Sequence, residues 1–238
     1  YLDMFQALLN RLGFQLYSFR RHPTRKEDAV AIIVKNSILQ VKQSQHVHLC
    51  DINNRVALIL WMQHVETGRN IIVANTHLSF PHNMFDKVNQ VNQMSGLLEA
   101  MNDFAINKCH CPNATRIVMG DFNVESESDV CDHLRDEGYY SALETSPPKL
   151  IGGSGNPIFA SSNSVVTHRT HRNEDLGVDH IFFKPEITYH DDINVDTTFA
   201  TETSILPHGS PCTIWDELFT VSDHRPVGSS FVFGKSEN

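Results

Sequence analysis

The sequence has no long apolar run. None of its apolar stretches approaches the roughly 20 residues that a membrane-spanning helix needs. It also lacks internal repeats and low-complexity tracts, and its 40% of hydrophobic and 20% of charged residues are ordinary for a soluble globular protein. From these absences and from the length of 238 residues we predict one globular domain over residues 1–238 without a membrane span.

Positive charge is scarce. Lys and Arg together number 19 against 28 Asp and Glu, which gives a formal net charge of −9. Proteins that coat nucleic acid by charge alone draw their binding free energy from Lys and Arg that replace the counterions of phosphate groups. The charge balance argues against this class, and it implies that a polyanionic substrate would need a metal ion at its binding site.

Cysteine is sparse and odd in number. The five cysteines are Cys50, Cys109, Cys111, Cys131 and Cys212. Because they are scattered over a large domain, they fit a reducing compartment better than a disulfide framework, and we predict an intracellular, cytoplasmic protein. The Cys109-His110-Cys111 cluster has no second ligand pair at the spacing of a zinc finger, so a loop is the favoured interpretation there.

Apolar periodicity predicts an α+β domain. Helical spacing indicates helices over Leu2 to Leu12 and Asp86 to Phe104, and acidic residues in a first turn indicate a third over Ser128 to Glu137. Strands are predicted at Phe14 to Phe19, Ala29 to Val34, Val56 to Met62, Ile71 to Ala74, Arg116 to Met119, Leu176 to Phe183 and Val227 to Phe233. Short polar turns between the early strands favour antiparallel neighbours. The segment from Pro147 to Ser164, rich in Gly, Pro, Ser and Asn, predicts a long loop.

Two short acidic clusters lie beside predicted strands, Gly120 to Asn123 and Ser222 to Pro226. Asp121 and Asn123 share one side if the strand continues through Phe122, because alternate residues of a strand share a face. The carboxylate of Asp121 and the amide of Asn123 can then contact the same ligand. Asp121 can orient or deprotonate a water molecule near a metal ion, and Asn123 can donate to a phosphoryl oxygen.

Two further polar residues, Asp179 and His77, stand beside or inside apolar segments. Asp179 interrupts an apolar strand, where a carboxylate without a partner is costly to bury, so we predict that it holds the ring of His224. His77 follows a strand that should be leaving the core. Each residue taken singly is more often structural than catalytic, because a lone histidine usually satisfies a core hydrogen bond and a lone aspartate usually caps a turn. Together with the acidic clusters they predict a site for metal-assisted attack on a phosphate ester.

Four ordered segments carry a family resemblance. They are Asn75-Thr76-His77-Leu78, Gly120-Asp121-Phe122-Asn123, Val178-Asp179-His180-Ile181-Phe182 and Ser222-Asp223-His224-Arg225-Pro226-Val227. In order and spacing they resemble the motifs of the endonuclease/exonuclease/phosphatase superfamily, which includes deoxyribonuclease I, inositol-polyphosphate 5-phosphatases, sphingomyelinases and deadenylases. The resemblance extends from about Tyr1 to Phe233. The first motif and the segment Thr167-His168-Arg169 look most like the carbon-catabolite-repressor-type deadenylases, nocturnin and the Angel proteins.

The resemblance implies a four-layer α/β/β/α sandwich with two stacked, mainly antiparallel sheets, as in deoxyribonuclease I. It also implies an in-line attack of water on phosphorus that depends on Mg²⁺, with Mn²⁺ as a substitute. The implied catalytic residues are His77, Asp121, Asn123, Asp179 and His224. By this resemblance Asp121 activates water, and Asn123 and His77 contact the phosphate. His224 stabilises the pentacovalent phosphorus while Asp179 orients its ring.

The resemblance assigns the metal to Asp223 and Asp121. The family's principal metal-binding glutamate belongs to a segment that precedes Tyr1, so we expect a longer polypeptide upstream, with the domain truncated at its N-terminus. The start at Tyr1, without an initiator methionine or a basic-then-apolar leader, gives the same expectation.

The expected substrate is single-stranded RNA or a nucleotide-like phosphate, and the expected activity is that of a 3′-5′ exoribonuclease or deadenylase. The residues assigned to substrate binding are Asn75, Phe80, His82 and Thr167. Phe80, His82 and Phe85 can stack on a base, although packing of their own loop is an equal alternative. Two other functions stay open: hydrolysis of a small nucleotide or lipid phosphate, and phosphate binding by a catalytically impaired module. His180 stands where the deadenylase-like branch commonly has tyrosine.

Overall fold

The computed structural model describes residues 2–21, 28–49, 54–145, 149–150, 158–159, 165–190, 193–196, 198–206 and 212–233. The helices are α1 (Leu2–Arg11), α2 (Met84–Asp103), α3 (Asp129–Asp136) and α4 (Ala142–Thr145), and α2 continues into a π-helical segment, Phe104–Lys108. The strands are β1 (Phe14–Arg20), β2 (Ala29–Lys35), β3 (Leu39–His48), β4 (Val56–His64), β5 (Asn70–His77), β6 (Thr115–Asp121), β7 (Tyr140–Ser141), β8 (Lys149–Leu150), β9 (Ile158–Phe159), β10 (His168–Arg169), β11 (Asp175–Leu176), β12 (Asp179–Lys184), β13 (Ile187–His190), β14 (Ile193–Asp196), β15 (Thr198–Ile205) and β16 (Val227–Phe233). Among the helices in these ranges, none is both long and apolar enough to cross a bilayer.

A six-stranded sheet in the order β3-β4-β5-β6-β12-β7 forms the centre of the fold. Its neighbours are antiparallel except for β5 and β6, which run parallel. Parallel strands cannot be joined by a tight turn, and here α2 provides the long crossover between them. The pairing brings the carboxyl ends of β5 and β6 to the same edge of the sheet, where their polar residues meet.

Each face of the central sheet packs against a different layer. On one face Ile59 of β4 packs in a core with Leu97 of α2, and α3 contributes to the same core. On the other face Leu60, the next residue of β4, packs with Ile32 of β2 and with Phe231 of β16. Because side chains alternate along a strand, β4 supplies both cores. The predicted α+β class, with stacked β layers and helices packed outside, is confirmed.

The sequence-based prediction lacks several strands, and β3 and β15 are the longest of them. In β3, Gln, Lys, Ser and His alternate with few apolar residues, because this strand lies at the end of the central sheet and half of its side chains meet solvent. In β15 the sequence TFATETSI is equally polar. Strands that pack only one face lack the apolar run that marks a buried strand. The other predicted strands and helices agree with the structure to within about three residues, except at Leu176 to Phe183.

That predicted strand divides into β11 and β12. The two parts are separated by Gly177 and Val178, and a Cβ atom at Gly177 would overlap the carbonyl oxygen of Val165. The chain therefore passes close to a neighbouring backbone here instead of continuing as one strand. The predicted loop from Pro147 to Ser164 lies mainly outside the described residues; within it, β8 and β9 pair with each other.

Four of the five cysteines are described, and all four are free thiols: Cys109, Cys111, Cys131 and Cys212. Cys50 lies outside the described residues. Burial raises the pKa of the Cys109 thiol to about 12, and it also raises the pKa of Cys111.

Candidate active site

Three neighbouring strands bring three polar residues into register. The parallel pairing of β5 and β6 sets His77 opposite Asp121, and the antiparallel pairing of β6 and β12 sets Asp179 opposite the same Asp121. His77 Nε2 lies 3.4 Å from Asp121 Oδ2. The Asp121 side chain is only 16% exposed, whereas that of His77 is 44% exposed. Asp121 is thus the buried centre of the group.

His224 joins this group from the loop before β16. Its Nδ1 donates to Asp179 Oδ2 at 2.9 Å, and its Nε2 lies 3.8 Å from Asp121 Oδ2. Because an ionised carboxylate only accepts hydrogen bonds, the contact with Asp179 places a proton on Nδ1. The ring is therefore held in one orientation, with Nε2 directed toward Asp121. This is the imidazole-carboxylate pair that the sequence predicts.

Gly120 allows β6 to approach β5 beside these residues. Its φ of 137° lies in a region that residues with a side chain rarely adopt, and a Cβ atom there would overlap the carbonyl oxygen of Thr76. The same Cβ would lie 2.9 Å from Oδ1 of Asn75, whose Nδ2 donates to the carbonyl oxygen of Ala31 at 2.8 Å. A glycine is therefore required where the strands carry His77 and Asp121.

Replacing Gly120 with alanine should destabilise the protein by about 2–4 kcal/mol, since positive φ and steric overlap both oppose a Cβ. Thermal unfolding should show a clearly lower Tm. The matched control is Gly96→Ala in α2, where an added Cβ meets no atom within 4 Å and alanine favours the helix by about 1 kcal/mol. A Tm of Gly120→Ala equal to that of the wild type would contradict the close approach of β5 and β6.

A turn, rather than a continued strand, positions Asn123. β6 ends at Asp121, and Asn123 has a φ of 54°, so the predicted continuation of the strand through Phe122 is wrong. Asn123 reaches the site because its backbone N–H donates to Asp121 Oδ1 at 2.8 Å and its Nδ2 donates to the carbonyl oxygen of Leu78 at 2.9 Å. Phe122 is fully buried, as predicted. The turn fixes one oxygen of Asp121 and leaves the other directed toward the two histidines.

Thr167 lies beneath the site and not on its surface. Its side chain is fully buried, and its hydroxyl accepts hydrogen bonds from the backbone N–H groups of Val178 at 3.0 Å and Asp179 at 3.1 Å. The sequence-based assignment of Thr167 to substrate binding is corrected accordingly: a buried hydroxyl that holds the backbone of Asp179 is a positioning group. Nothing in the local sequence distinguishes these two roles, because they depend on burial.

A cavity of about 490 Å³ opens beside Asn123. Phe80, Leu176 and Val178 are among the residues that line it. Phe80 is 50% exposed, and its ring centroid lies 5.0 Å from that of His82, which is also exposed. Two of the three rings predicted to stack on a base are therefore accessible beside a cavity next to the acidic centre, and Phe85, the third, is exposed as well.

Asp223 and His168 form a second group adjoining the first. A carboxylate oxygen of Asp223 and one ring nitrogen each of His168 and His224 lie within 4.8 Å of one another. A single β-bridge places His168 beside His224, and the centroids of the two rings are 4.1 Å apart. The sequence marks Asp223 as a metal ligand but assigns His168 no role. The only available signal was its place in the Thr167-His168-Arg169 segment.

Residues 2–224 match the model of the Endonuclease/Exonuclease/phosphatase family. The chain belongs to this family. The matched range includes His77, Asp121, Asp179 and His224, so the residues that converge on one edge of the sheet all lie within the family domain. Members named in the family description hydrolyse phosphate esters, as endonucleases, exonucleases or phosphatases.

Solved structures share the fold. The catalytic domain of human nocturnin, with a bound sulfate anion, has a TM-score of 0.69 and 22% identity over 98% of this chain and 77% of that chain. ANGEL2, a 2′,3′-cyclic phosphatase in complex with adenosine-2′,3′-vanadate, has a TM-score of 0.68 and 19% identity over 98% of this chain and 78% of that chain. The predicted likeness to nocturnin and the Angel proteins is thus confirmed at the level of the fold.

One curated relative is an uncharacterized calcium-binding protein of Arabidopsis thaliana. It is 25% identical over 191 residues, which make up 76% of this chain and 37% of that protein. The chain therefore spans well under half of this relative's length.

The pKa values of Asp121 and His224, the two central groups of the site, are both raised, but for different reasons. Burial, reinforced by the nearby charge of Asp179, raises the pKa of Asp121 to about 6, although the hydrogen bond from the Asn123 backbone opposes the shift. The hydrogen bond to Asp179 raises the pKa of His224 above its usual value. Near neutral pH the site therefore combines a carboxylate ready to accept a proton with an imidazole that tends to keep one.

The donor set fits a divalent cation that prefers oxygen ligands. Asp121 is a mostly buried carboxylate without a Lys or Arg ion pair among the described residues, and the neighbouring Asp179 adds negative charge. Mg²⁺ is typically bound through one or two carboxylates and several waters. Asp121 is suited to hold such an ion, and the exposed Asp223 stays the predicted second ligand.

Proposed function

We propose that this member of the endonuclease/exonuclease/phosphatase family is a Mg²⁺-dependent phosphodiesterase that acts on the 3′ end of single-stranded RNA. The observation that carries the proposal is the convergence of His77, Asp121, Asp179 and His224 from three registered strands and one loop. A structural role alone gives no reason to gather two carboxylates and two imidazoles at one partly exposed edge of a sheet.

Each side chain of the site has its own role in hydrolysis. Asp121 accepts a proton from the attacking water, which its raised pKa favours. His224 donates from Nε2 to a phosphate oxygen, and Asp179 keeps the ring oriented and protonated through Nδ1. His77, whose pKa is lowered by burial and by the charge of Arg55, contacts the phosphate as a neutral imidazole.

The metal ion belongs to the same site. Asp121 and Asp223 would hold Mg²⁺, and Mn²⁺ would substitute because both ions accept carboxylate and water ligands. When bound, the ion supplies positive charge that neutralises the phosphate in the transition state. An acidic protein with a formal charge of −9 has few other means of attracting a polyanion to this edge.

RNA is proposed because aromatic groups lie beside the acidic centre. Phe80 and His82 are exposed and adjacent, and stacking on such rings is a usual way to hold unpaired bases. The cavity beside Asn123 has room for a terminal nucleoside. Two proteins of the same fold, nocturnin and ANGEL2, are solved with sulfate and with adenosine-2′,3′-vanadate, ligands that support a phosphate or nucleotide substrate here.

A second candidate is hydrolysis of a small nucleotide phosphate. Three acidic side chains, those of Glu125, Glu127 and Asp129, line the same cavity, whereas Lys87 contributes the single cation among its described lining residues. A negatively charged wall disfavours further phosphate groups beyond the one that is cleaved. The acidic lining therefore favours a small substrate with a single phosphate group, whose remaining part enters the cavity without charge.

The decisive measurement uses the native full-length protein, 5′-labelled oligoadenylate and a set of mononucleotide phosphates. We expect Mg²⁺-dependent, stepwise shortening of the labelled strand with release of unlabelled nucleoside monophosphates, restored by Mn²⁺ and reduced at least about 100-fold by EDTA. Release of phosphate from mononucleotides, with intact RNA, would support the second candidate instead. If every phosphate ester remains uncleaved with either metal while the protein is folded, the proposed function is wrong.

A further inference from the structure

The histidines of the second group each have one ring nitrogen engaged and one available. His168 Nδ1 donates to the carbonyl oxygen of Asp223 at 3.1 Å, and His224 Nδ1 donates to Asp179 Oδ2 at 2.9 Å. Since both acceptors are oxygens that cannot donate, Nδ1 carries the proton in each ring. Histidines that bind metals typically use this arrangement, in which one nitrogen is fixed by a backbone or carboxylate oxygen and the other faces the ion.

The backbone holds the two rings together before any ion arrives. His168 and His224 form a β-bridge, the Arg169 N–H donates to the carbonyl oxygen of Asp223 at 2.9 Å, and the Arg225 N–H donates to the carbonyl oxygen of Thr167 at 2.6 Å. The Asp223 side chain is exposed and can change rotamer. One potential ligand atom from each of the three residues lies within 4.8 Å of the other two, so small side-chain rotations would bring them to zinc at its usual bond lengths of about 2.0–2.2 Å.

The donor types select one class of ion. Two imidazole nitrogens and one carboxylate oxygen suit Zn²⁺, which binds nitrogen readily and accepts three protein ligands with an open fourth position. Mg²⁺ prefers oxygen ligands and strict octahedral geometry. The second group should therefore bind zinc in preference to magnesium, whereas the acidic centre at Asp121 should not.

We propose that His168, Asp223 and His224 form an inhibitory zinc site. Bound zinc occupies the available nitrogen of His224, so that this side chain can no longer donate to the phosphate. It also withdraws Asp223 from the magnesium ion. The binding site stands on the geometry of the three residues alone, while its inhibitory effect rests on the proposed function.

Zinc binding can be measured without substrate. Titration calorimetry and competition with a chromogenic chelator should show that His168→Gln weakens zinc binding about tenfold or more. The matched control is His171→Gln, an exposed histidine three residues further along, which should bind zinc as the wild type does. Unchanged affinity in His168→Gln would overturn the site. The visible spectrum of the Co²⁺-loaded protein, which reports ligand environment, should change in His168→Gln and not in His171→Gln.

Inhibition provides the second measurement. Each variant's Mg²⁺-dependent rate is compared with its own rate without zinc, and His168→Gln should need about tenfold more zinc for half inhibition than the wild type or His171→Gln. Zinc that binds through His168 without slowing hydrolysis would overturn the inhibitory role. If Mg²⁺ supports no hydrolysis in the wild type, the proposed function fails, while the binding titration still decides the zinc site. Thermal unfolding of both variants tests that the substitutions leave the fold intact.

Discussion

Replacing Asp121 with asparagine is expected to reduce kcat at least about 1,000-fold while leaving the protein as stable as the wild type or more stable. The rate falls because an amide neither accepts the proton of the attacking water nor supplies a charged metal ligand. Stability does not fall, because burial and the neighbouring Asp179 already disfavour the charged carboxylate in the folded protein. Removing that charge should add about 1–2 kcal/mol at neutral pH.

Hydrolysis and thermal unfolding are measured on the same preparation. The control is Asp136→Asn, an exposed aspartate at the end of α3, which should change neither quantity. A residue that served only the fold would lose stability together with activity. If Asp121→Asn loses several kcal/mol of stability, or keeps its full rate, Asp121 is not the functional centre that the structure indicates.

A second large loss of rate is expected when the hydrogen-bonded pair of Asp179 and His224 is disrupted. His224→Gln is expected to reduce kcat about 100- to 1,000-fold, and Asp179→Asn about 100-fold. The double variant should be hardly slower than His224→Gln alone, because the carboxylate acts through the imidazole. Strictly additive losses would show that the two residues act independently, contrary to the 2.9 Å contact between them.

The pH dependence of Asp179→Asn gives a separate readout. Asp179 raises the pKa of His224, so in the wild type the protonated ring persists to higher pH. Without that carboxylate the pKa of His224 falls, and the rate should decline with rising pH from a lower pH than in the wild type. Rate profiles over the neutral range test this. An unchanged alkaline limb would mean that the protonation state of His224 does not control the rate.

The sequence predicted secondary structure best where the residues of an element that pack into a core are apolar. The helical pattern of α2 and the apolar run of β4 were recognised because their side chains enter the two cores. The polar strands β3 and β15 were missed because only part of each packs inward. The parallel pairing of β5 with β6 was not predicted from the sequence either. Pairing across a long crossover depends on how α2 packs and not on the strands themselves.

The sequence predicted the residues of the candidate site and one of their contacts, that of Asp179 with the ring of His224. His77, Asp121, Asp179 and His224 are recognisable from four ordered motifs, although each is ambiguous alone. Thr167 was assigned to the substrate because burial cannot be read from a polar segment. His168 received no role because only its bridge to His224 brings it to the site.

The amino-acid sequence by itself determined which functional groups this family member has: carboxylates, an amide and imidazoles at strand ends, with few cations. It also determined the order of motifs that marks phosphate-ester hydrolases. The tertiary structure alone decided which atoms meet. Strand register sets Asp121 between His77 and Asp179, and the direction of one hydrogen bond leaves Nε2 of His224 available. The physical reason is that hydrogen bonds and metal coordination depend on distances of a few ångströms between residues far apart in the chain, which packing of the whole fold establishes.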